Sequence, residues 1–394
     1  MIFNRKDWAT ITLNEACDFI RGVVFSTKDE VDSSDNVILR SHNVDFENSK
    51  ITLHNLKYVS DDVKLKKTQK ITKCDILISV ANSKEQTGKM GFAFEDINAY
   101  AGGFMAILRA KEIIHPFFLF NYLLTNRAKN FIAGRTQGTT NIFNITFERI
   151  KDLRVPLPSI KEQRQIGLLF ELIETAIDNA DKQNRSLLKI KNALLDELFS
   201  EHKRLGTYLN EMDFESVRFD KVANNISERV EPQKTALVTY VGLEHLEADN
   251  LRIERTGVPD DVTGTKLKIY KGDIIFGKRR AYLRKIAVSH FDGIASAHSM
   301  ILRADERFIE KDFLPYFMQS NTFMSRAVEI SEGSLSPTIK NSSLAKQEFW
   351  LPKKEKQQRL ITIFKQLDVT MDELRKQKNT LKNLKQKLLN DILG

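Results

Sequence analysis

The sequence predicts an α+β fold in which two pseudo-symmetric globular domains are separated by two long helices that form an antiparallel coiled coil. Three observations predict this fold: a series of motifs occurs twice, each copy mixes short apolar runs with helical segments, and each copy ends in a charged helix with a heptad pattern. A chain of 394 residues has room for two or three domains. We place the globular domains at 1–156 and 206–350, the central helix at 157–205 and the C-terminal helix at 351–394.

The internal repeat rests on short motifs that recur in the same order. The matched segments, first copy before second, are 59–63 with 258–262, 74–78 with 272–276, 107–110 with 301–304 and 157–158 with 351–352. The offset falls from 199 to 194 residues along the chain, which indicates short insertions in loops. Two copies of one fold diverge in this way.

Each globular domain shows both strand and helix patterns. The apolar runs 71–80 and 274–278 predict strands, whereas 116–129 and 311–328 predict helices.

The long helices carry apolar residues at alternating steps of four and three, which is the a/d pattern of a coiled coil. In the central helix these residues are Ile166, Phe170, Ile173, Ile177, Leu187, Leu194 and Leu198, and in the C-terminal helix they are Leu360, Phe364, Leu367, Met371, Leu374, Leu381, Leu388 and Ile392. Polar residues interrupt both patterns at matching places, Asn184 with Lys378 and Lys191 with Lys385. Such interruptions lower stability but fix register and partner choice.

About 40 residues of helix make a rod of roughly 60 Å. If the two helices pack antiparallel, they place the two globular domains at opposite ends of this rod. The alternative is that each helix packs against its own domain.

Composition favours a polyanionic partner. The chain has 61 Lys and Arg residues against 52 Asp and Glu residues, a formal net charge of +9. This excess suits nucleic acid first and an anionic membrane surface second. Two distant cysteines, no apolar signal region and no apolar stretch of about 20 residues predict a cytoplasmic protein without a disulfide framework, a metal site or a membrane span.

No motif in the sequence supplies catalytic machinery. Gly-x-Gly does not occur, and no two prolines are adjacent, so the common nucleotide-binding and amino-methyltransferase motifs are missing. Segment 272–278 matches Gly-x4-Gly-Lys, but Arg279 stands where a P-loop has Ser or Thr, and the intervening residues predict a strand. A self-contained enzyme is therefore the least favoured class.

Candidate DNA contacts in the second domain lie in a basic segment and in a hydroxyl-rich loop. They are Lys278, Arg279, Arg280, Tyr282, Arg284 and Lys285 in the segment, Ser334, Ser336, Thr338 and Lys340 in the loop, and His298 between them. Arginine binds guanine through two hydrogen bonds, and both cations neutralise phosphates. The alternative is a solvated hairpin and a turn without a ligand.

The first domain has a different set at the corresponding places. Its candidates are Asn82, Ser83, Lys84, Gln86 and Lys89 after the strand, and Arg135, Gln137, Thr139, Thr140 and Asn141 before the Leu-Pro pair. Amide side chains suit adenine edges, although they are equally common in plain turns. Because the scaffolds agree while these loops differ, the two domains are expected to recognise two different short sequences.

With these features the chain resembles a known family, the specificity subunits of Type I restriction–modification enzymes. The resemblance is carried by the Leu-Pro and Glu-Gln-Arg-type segments 157–166 and 351–360, by the strands at Asp75 and Asp273, and by 272–303, which is similar to one class of target-recognition domain. Cys74 departs from the family, which usually has glycine there.

The resemblance implies a non-catalytic subunit without a cofactor of its own. Each target-recognition domain would bind one half of a split, asymmetric DNA site, and the helices would set the spacing between the halves. The helices would also dock two adenine-N6 methyltransferase subunits carrying adenosylmethionine. Two restriction subunits that use ATP and Mg²⁺ would complete the complex.

Two other classes stay open. A coiled-coil scaffold for other proteins predicts no salt-dependent DNA affinity. A free-standing DNA-binding regulator predicts specific binding without a methyltransferase partner.

Overall fold

The structure is a computed structural model that describes residues 5–139, 142–199, 209 and 211–394. The chain forms two compact units. Unit 1 consists of residues 1–180 and 376–394, and unit 2 consists of residues 181–375. Each unit therefore combines one globular domain with part of each long helix.

Unit 1 contains short strands arranged in several small sheets. The strands are β1 Ala9–Thr12, β2 Cys17–Arg21, β3 Glu30–Val31, β4 Val37–Leu39, β5 Val44–Asp45, β6 Lys50–Ile51, β7 Lys57–Val59, β8 Ile76–Ser79, β9 Ala81–Asn82, β10 Met90–Phe92, β11 Tyr100–Ala101, β12 Met105–Ala110, β13 Gln137–Thr139, β14 Ile142–Asn144 and β15 Arg154–Leu157. The larger sheets have the orders β2-β12-β8-β10-β6-β5 and β11-β4-β7-β3. The helices are α1 Leu13–Ala16, α2 Pro116–Leu123, α3 Asn126–Ala133, α4 Phe147–Ile150 and the long helix α5 Ile160–Phe199, which continues into unit 2.

Unit 2 follows the same plan with fewer strands. Its strands are β16 Phe214–Arg218, β17 Ala223–Ile226, β18 Arg229–Val230, β19 Tyr240–Val241, β20 Lys266–Ile269, β21 Ile274–Gly277, β22 Ile286–Val288, β23 Gly293–Ala295, β24 Ser299–Ala304 and β25 Glu348–Pro352. The sheet orders are β17-β24-β21-β22 and β18-β20-β23-β19. The helices are α6 Phe219–Val222, α7 Leu314–Gln319, α8 Asn321–Glu329, α9 Asn341–Ala345 and the long helix α10 Lys354–Leu393, which continues into unit 1.

The two units share one topology, which confirms the predicted duplication and the α+β fold. In each, the first strand pairs antiparallel with the strand before the long helix, β1 with β15 and β16 with β25. The central antiparallel pairs also correspond, since β8 pairs with β12 and β21 pairs with β24. Both pairs are buried in apolar cores.

A buried ion pair explains why two of the repeated motifs match. The Asp75 carboxylate, only 1% exposed, accepts hydrogen bonds from Arg109 Nε and Nη2, both at 2.7 Å. Asp273 accepts from Arg303 Nε at 2.7 Å and from its Nη2 at 3.0 Å in the same arrangement. An ionised carboxylate is expensive to bury without such partners. Each acid therefore requires the arginine of the adjacent strand.

The segments predicted to be helical at 116–129 and 311–328 are helical, but each is a pair of helices and not one. Thr125 precedes the second helix of the first pair, and its hydroxyl accepts from the backbone N–H three residues later at 3.2 Å. Ser320 does the same in unit 2, also at 3.2 Å. A hydroxyl in this position caps a new helix N-terminus and turns the chain.

The strand predicted at 71–80 is shorter than expected, since β8 begins only at Ile76. The backbone turns just before it, at Cys74, which has a φ of 72°. The corresponding Gly272 has a φ of 96°. Glycine adopts this left-handed conformation easily, whereas a residue with a Cβ is strained in it. The second domain thus has the better residue for this turn.

Within each unit the long helices run antiparallel. In unit 1 the Lys385 ammonium forms an ion pair with Glu174, and in unit 2 Lys191 Nζ lies 2.7 Å from Asp368 Oδ1. The partners of the two pairs are related by the repeat offset of 194 residues. Both lysines are predicted polar interruptions of the apolar pattern, so the structure gives each of them an acidic partner on the facing helix.

Lys191 is the more deeply buried of the two lysines. Its side chain is 2% exposed, and this burial lowers the pKa of its ammonium although Asp368 opposes the shift. The Tyr316 hydroxyl also donates to Asp368 at 2.9 Å. A buried polar network of this kind discriminates against other helix registers, because a shifted register would leave a charge buried and unpaired.

Both alternatives for the helices hold in part, because they pack against each other and against the globular domains. The buried face extends past the predicted a/d positions near the helix ends. Leu195 and Phe199 join the core of unit 2, and Leu389 and Leu393 join the core of unit 1. A helix that contacts both a partner helix and a sheet domain needs a wider apolar face than a strict a/d stripe.

A buried glutamine joins each long helix to its own domain. The Gln163 side chain accepts from the His115 N–H at 2.7 Å and donates to the carbonyl oxygen five residues before it at 2.9 Å. Gln357 makes the same two contacts, with the Glu310 N–H and with its own fifth-preceding carbonyl, both at 2.8 Å. The glutamine occurs in both repeated segments, 157–166 and 351–360, and it makes the same two hydrogen bonds in each.

Across the described residues, no helix has the length and apolar character that crossing a membrane requires.

Candidate nucleic-acid interface

In unit 2 the basic segment and the hydroxyl-rich loop lie side by side. The backbones of Arg279 and Thr338 form a β-bridge. The Ile339 N–H donates to the Lys278 carbonyl at 2.9 Å, and the Arg280 N–H donates to the Pro337 carbonyl at 2.8 Å. Two segments separated by about 60 residues in sequence thus form one surface, which we call the arginine surface.

Side chains on the arginine surface are held in place by one hydroxyl. The Ser336 Oγ accepts from Arg279 Nε at 2.8 Å and from Arg280 Nε at 3.2 Å. Each guanidinium contacts this hydroxyl through Nε, and the outer nitrogens are the ones that suit two hydrogen bonds to a guanine edge. Two of the predicted DNA contacts, Arg279 and Arg280, are therefore brought together by one hydroxyl.

His298 lies beside them and accepts, through Nε2, from Arg279 Nη1 at 3.4 Å. Partial burial lowers the pKa of His298, and the nearby cations Arg279 and Lys278 lower it further. The imidazole is therefore neutral at neutral pH, which leaves it able to accept a hydrogen bond.

The turn after Arg280 is strained and exposes an aromatic ring. Arg280 and Arg284 have φ values of 57° and 54° and flank a short 3-10 turn at Ala281–Leu283. Within that turn Tyr282 is exposed. Strained backbone conformations persist where surrounding contacts hold them, and they cluster at functional sites.

Two predicted contacts, Arg284 and Lys285, face the protein instead. Arg284 donates to Asp249 and Asn321 at 2.8 Å each and to the Gln319 carbonyl. Lys285 Nζ donates to the Leu243 carbonyl at 2.5 Å. Their side chains already have internal acceptors, so the structure does not place them with the arginine surface.

The remaining predicted residues of the loop lie in a small hairpin. Glu332 and Thr338 exchange backbone hydrogen bonds of 3.0 and 2.9 Å, and Ser334 is exposed between them. Lys340 Nζ pairs with the Glu332 carboxylate at 2.7 Å.

In unit 1 the two predicted loops form one three-stranded sheet, in the order β13-β14-β9. Asn82 on β9 is opposite Phe143, and Gln137 on β13 is opposite Asn144. Gly138 is required in this sheet, because a Cβ there would lie 2.0 Å from the Ile142 carbonyl oxygen. Thr139 ends β13, and the predicted contacts Thr140 and Asn141 lie outside the described residues.

Most polar side chains of this sheet already have protein partners. Asn82 donates to Ser41 Oγ at 2.5 Å, and its own Oδ1 accepts from the Ser83 N–H at 2.8 Å. Lys89 Nζ donates to Gln86 Oε1 at 2.7 Å. The side chains of Lys84 and Gln137, by contrast, are exposed.

Arg135 also has an internal role. Its guanidinium lies 3.4 Å from the centroid of the Phe131 ring, and Nη1 donates to the Phe131 carbonyl at 3.2 Å. The Arg135 guanidinium is therefore held against the Phe131 ring.

Sequence reasoning missed three exposed apolar side chains beside the candidate surfaces. Leu335 is 93% exposed in the hairpin that carries Ser336. Phe104 is 68% exposed, and its carbonyl accepts from the Val80 N–H at 2.9 Å, next to β9. Val24 is 85% exposed and lies next to Gly103, the residue before Phe104, since a Cβ at Gly103 would be 3.5 Å from Val24 Cγ2. A signal for Phe104 was present, since it lies 194 residues before His298, the repeat offset itself.

Among the described residues, no group of three or more His, Cys, Asp or Glu side chains is arranged to hold a metal ion.

Comparison with known proteins matches both domains to one family. The family model for the Type I restriction modification DNA specificity domain matches residues 5–189 and 247–383. The Type I restriction enzyme EcoKI specificity subunit of Escherichia coli K12 is 21% identical over 98% of this chain and 88% of its own length. The Type I restriction–modification S subunit from M. genitalium has a similar crystal structure, with a TM-score of 0.57 and 17% identity over 100% of this chain and 98% of that one.

A further solved structure, concerned with complex assembly and conformational transition of the type I restriction–modification system, has a TM-score of 0.54 and 18% identity over 97% of this chain and 96% of its own. These two structural likenesses show a shared fold. The family match covers most of the chain and both copies of the repeat. The chain therefore belongs to the family of Type I restriction–modification DNA specificity subunits.

Proposed function

We propose that this chain is the non-catalytic subunit that recognises a bipartite, asymmetric DNA site and directs methyltransferase and restriction subunits to it. The observation that carries the proposal is that two domains of one topology present unlike surfaces. Two domains with the same scaffold but different contact residues are suited to recognise two different half-sites.

The chemistry of the two surfaces supports different target bases. In unit 2, Arg279 and Arg280 suit the O6 and N7 acceptors of guanine in the major groove. In unit 1, Gln137 and the neighbouring hydroxyl and amide groups suit adenine N6 and N7. The exposed lysine Lys84 suits phosphate oxygens, which position the domain without reading sequence.

In this proposal the long helices make the contacts with the partner subunits. Exposed leucines remain on α5, with Leu168 at 56% and Leu172 at 61% exposure. They are four residues apart and so lie on the same face of the helix. We assign this face to the docking of methyltransferase subunits, and the family resemblance implies two of them.

The chemical step would take place on the partners. An adenine-N6 methyltransferase must draw its target base out of the duplex, and the specificity subunit would hold the flanking DNA while this happens. Adenosylmethionine, ATP and Mg²⁺ would bind the methyltransferase and restriction subunits. This chain's own part is to neutralise phosphates and to contact base edges.

The test is to co-express the chain with the methyltransferase encoded beside it and to map N6-methyladenine across the host genome by long-read sequencing. We expect a split, non-palindromic methylated motif that is absent without this chain. The matched variants are Arg279→Ala and Gln137→Ala, each of which is expected to blur positions in one half of the motif only.

Other outcomes would favour the other classes. Sequence-specific DNA binding without any methylation, despite a soluble complex, would indicate a free-standing regulator. Absence of salt-dependent DNA affinity would indicate a scaffold.

A further inference from the structure

Unit 2 has a second cationic feature that adjoins the arginine surface. A cleft lies between β17, β20 and the start of β24, and we call it the basic cleft. Its cations are Arg229, Lys278 and Lys340, and Met300 and Ile339 form part of an apolar floor. A charged rim over an apolar floor matches a nucleotide's phosphate and sugar.

Two of the three cations lack a counter-charge. Among the residues that the structure describes, neither the Lys278 ammonium nor the Arg229 guanidinium takes part in a hydrogen bond or an ion pair. Partial burial lowers the pKa of Lys278, and the charge of Arg229 lowers it further. Two cations that repel each other in a half-buried place gain free energy when an anion binds between them.

A buried hydroxyl in the cleft also lacks a partner. Ser299 lines the cleft and is 0% exposed, and its Oγ has no hydrogen-bond partner among the described residues. Buried polar groups are nearly always hydrogen-bonded, and the Ser299 hydroxyl has its donor free for a group bound in the cleft. In the first copy the repeat-equivalent residues are Met105 and, for Lys278, Val80, so this chemistry is specific to unit 2.

The position of Lys278 links the cleft to the arginine surface. Successive residues along an extended backbone point to opposite sides. Lys278 therefore lines the cleft while Arg279, the next residue, contacts Ser336 and His298. A backbone phosphate in the cleft would fix the DNA in register with the neighbouring arginines.

We propose that the basic cleft binds one phosphate group of the DNA backbone, with Lys278 and Arg229 neutralising its charge, the Ser299 hydroxyl donating a hydrogen bond to it, and the adjoining deoxyribose packing on Met300 and Ile339. The inference rests on the proposed function, because it takes DNA as the source of the phosphate. The contact between the cleft and this phosphate would anchor the DNA without distinguishing one base sequence from another.

The first experiment measures DNA affinity of the full complex against salt concentration, on duplexes with the methylated motif and without it. Lys278→Gln is expected to bind both duplexes roughly tenfold more weakly and to lower the slope of log K against log salt by about 0.9. Ser299→Ala is expected to bind about fivefold more weakly with an unchanged slope, since the hydroxyl is neutral. Lys311→Gln, an exposed lysine outside the cleft, is the matched control for charge.

The second experiment replaces single phosphates of the motif duplex by neutral methylphosphonates. One replacement should weaken the wild-type complex by about the same factor as Lys278→Gln and should have no further effect in that variant. Inorganic phosphate and ATP at millimolar concentration test whether the cleft binds a free phosphate group and not a phosphate of the DNA backbone. The assignment to DNA would be overturned by two results together. These ions would protect the DNA-free wild type, but not Lys278→Gln, against thermal unfolding, and no methylphosphonate replacement would weaken DNA binding.

Failure of this inference is distinguishable from failure of the proposed function. If wild type recognises its motif but Lys278→Gln matches Lys311→Gln in both affinity and slope, the cleft is not a phosphate site. If wild type recognises no motif at all, the proposed function itself is wrong.

Discussion

Arg279 and Arg284 belong to one basic run of the sequence, yet their surroundings differ. Arg279 contacts a hydroxyl and a histidine on the arginine surface. Arg284 donates to Asp249, to Asn321 and to a backbone carbonyl. Removing a side chain with several charge-assisted hydrogen bonds leaves its acceptors without that partner.

We therefore expect Arg284→Ala to lower the free energy of unfolding by about 2 kcal/mol while leaving the recognised motif unchanged. Arg279→Ala is expected to leave stability unchanged and to weaken recognition in one half-site by about 1–3 kcal/mol. Urea denaturation and methylome mapping of both variants provide the measurements. Equal loss of stability in the two variants would contradict this division of roles.

The strained turn before β8 gives a second prediction on single residues. Cys74 has a φ of 72° where the second domain has Gly272 at 96°. Cys74→Gly is expected to raise the free energy of unfolding by roughly 0.5–1 kcal/mol, because relief of the left-handed strain exceeds the added entropy of the unfolded chain. Gly272→Ala is the reciprocal variant and should destabilise, although nothing lies within 4 Å of its Cβ position. Thermal unfolding measures both, and a destabilised Cys74→Gly would show that the thiol contributes more than the strain costs.

Among the secondary-structure elements, the ion pairs between the long helices set the register. Exchanging the charges of one pair, with Glu174→Lys and Lys385→Glu, tests this directly. Each single variant places two like charges together and should destabilise, by about 1–3 kcal/mol, whereas the double variant should recover a large part of that loss.

The repeat-related exchange of Lys191 and Asp368 is the matched experiment. Its single variants are expected to cost more, because the Lys191 side chain is only 2% exposed. A double-mutant cycle by chemical denaturation gives the coupling energies. Strict additivity in both cycles would mean that the apolar side chains alone determine the register.

Elements whose signals are local could be predicted from the sequence. The heptad pattern predicted both long helices and the polar interruptions that turned out to be paired. Thr125 and Ser320 were signals for a helix break, but a single hydroxyl in an apolar helical pattern is weak against the pattern itself. The wider apolar face at Leu195 and Leu389 depends on tertiary contacts and could not be read from a strict a/d count.

The candidate site was predictable in composition but not in orientation. The basic segment and the hydroxyl-rich loop were both found, since their side chains are unusual in sequence. Which side chains point outward depends on long-range partners such as Asp249 for Arg284 and Phe131 for Arg135. The basic cleft was missed because Arg229 and Ser299 join Lys278 only through the sheet.

For the whole molecule, the proposal makes the long helices a spacer between two reading surfaces. Deleting one heptad from each helix, between Glu174 and Lys191 and between Asp368 and Lys385, leaves both ion pairs in the chain. Seven residues span about 10 Å of helix, so the unspecified spacer of the methylated motif should shorten by about three base pairs. Both half-sites should stay the same.

Long-read mapping of methylated adenine measures this spacer. The control deletes seven residues from α5 alone, which mismatches the helices and should abolish methylation. A full deletion that methylates the original motif with its spacer unchanged would exclude the helices as the spacer.

The repeat has a further consequence at the chain ends. Arg5 donates to the carbonyl oxygens of Asp391 and Gly394, so the two ends of the described chain meet within unit 1. The two ends could therefore be joined by a short linker, and the chain could instead be opened between residues 199 and 211. Such a circular permutant would reverse the order in which the two reading surfaces are synthesised while keeping the described contacts of both long helices within each unit.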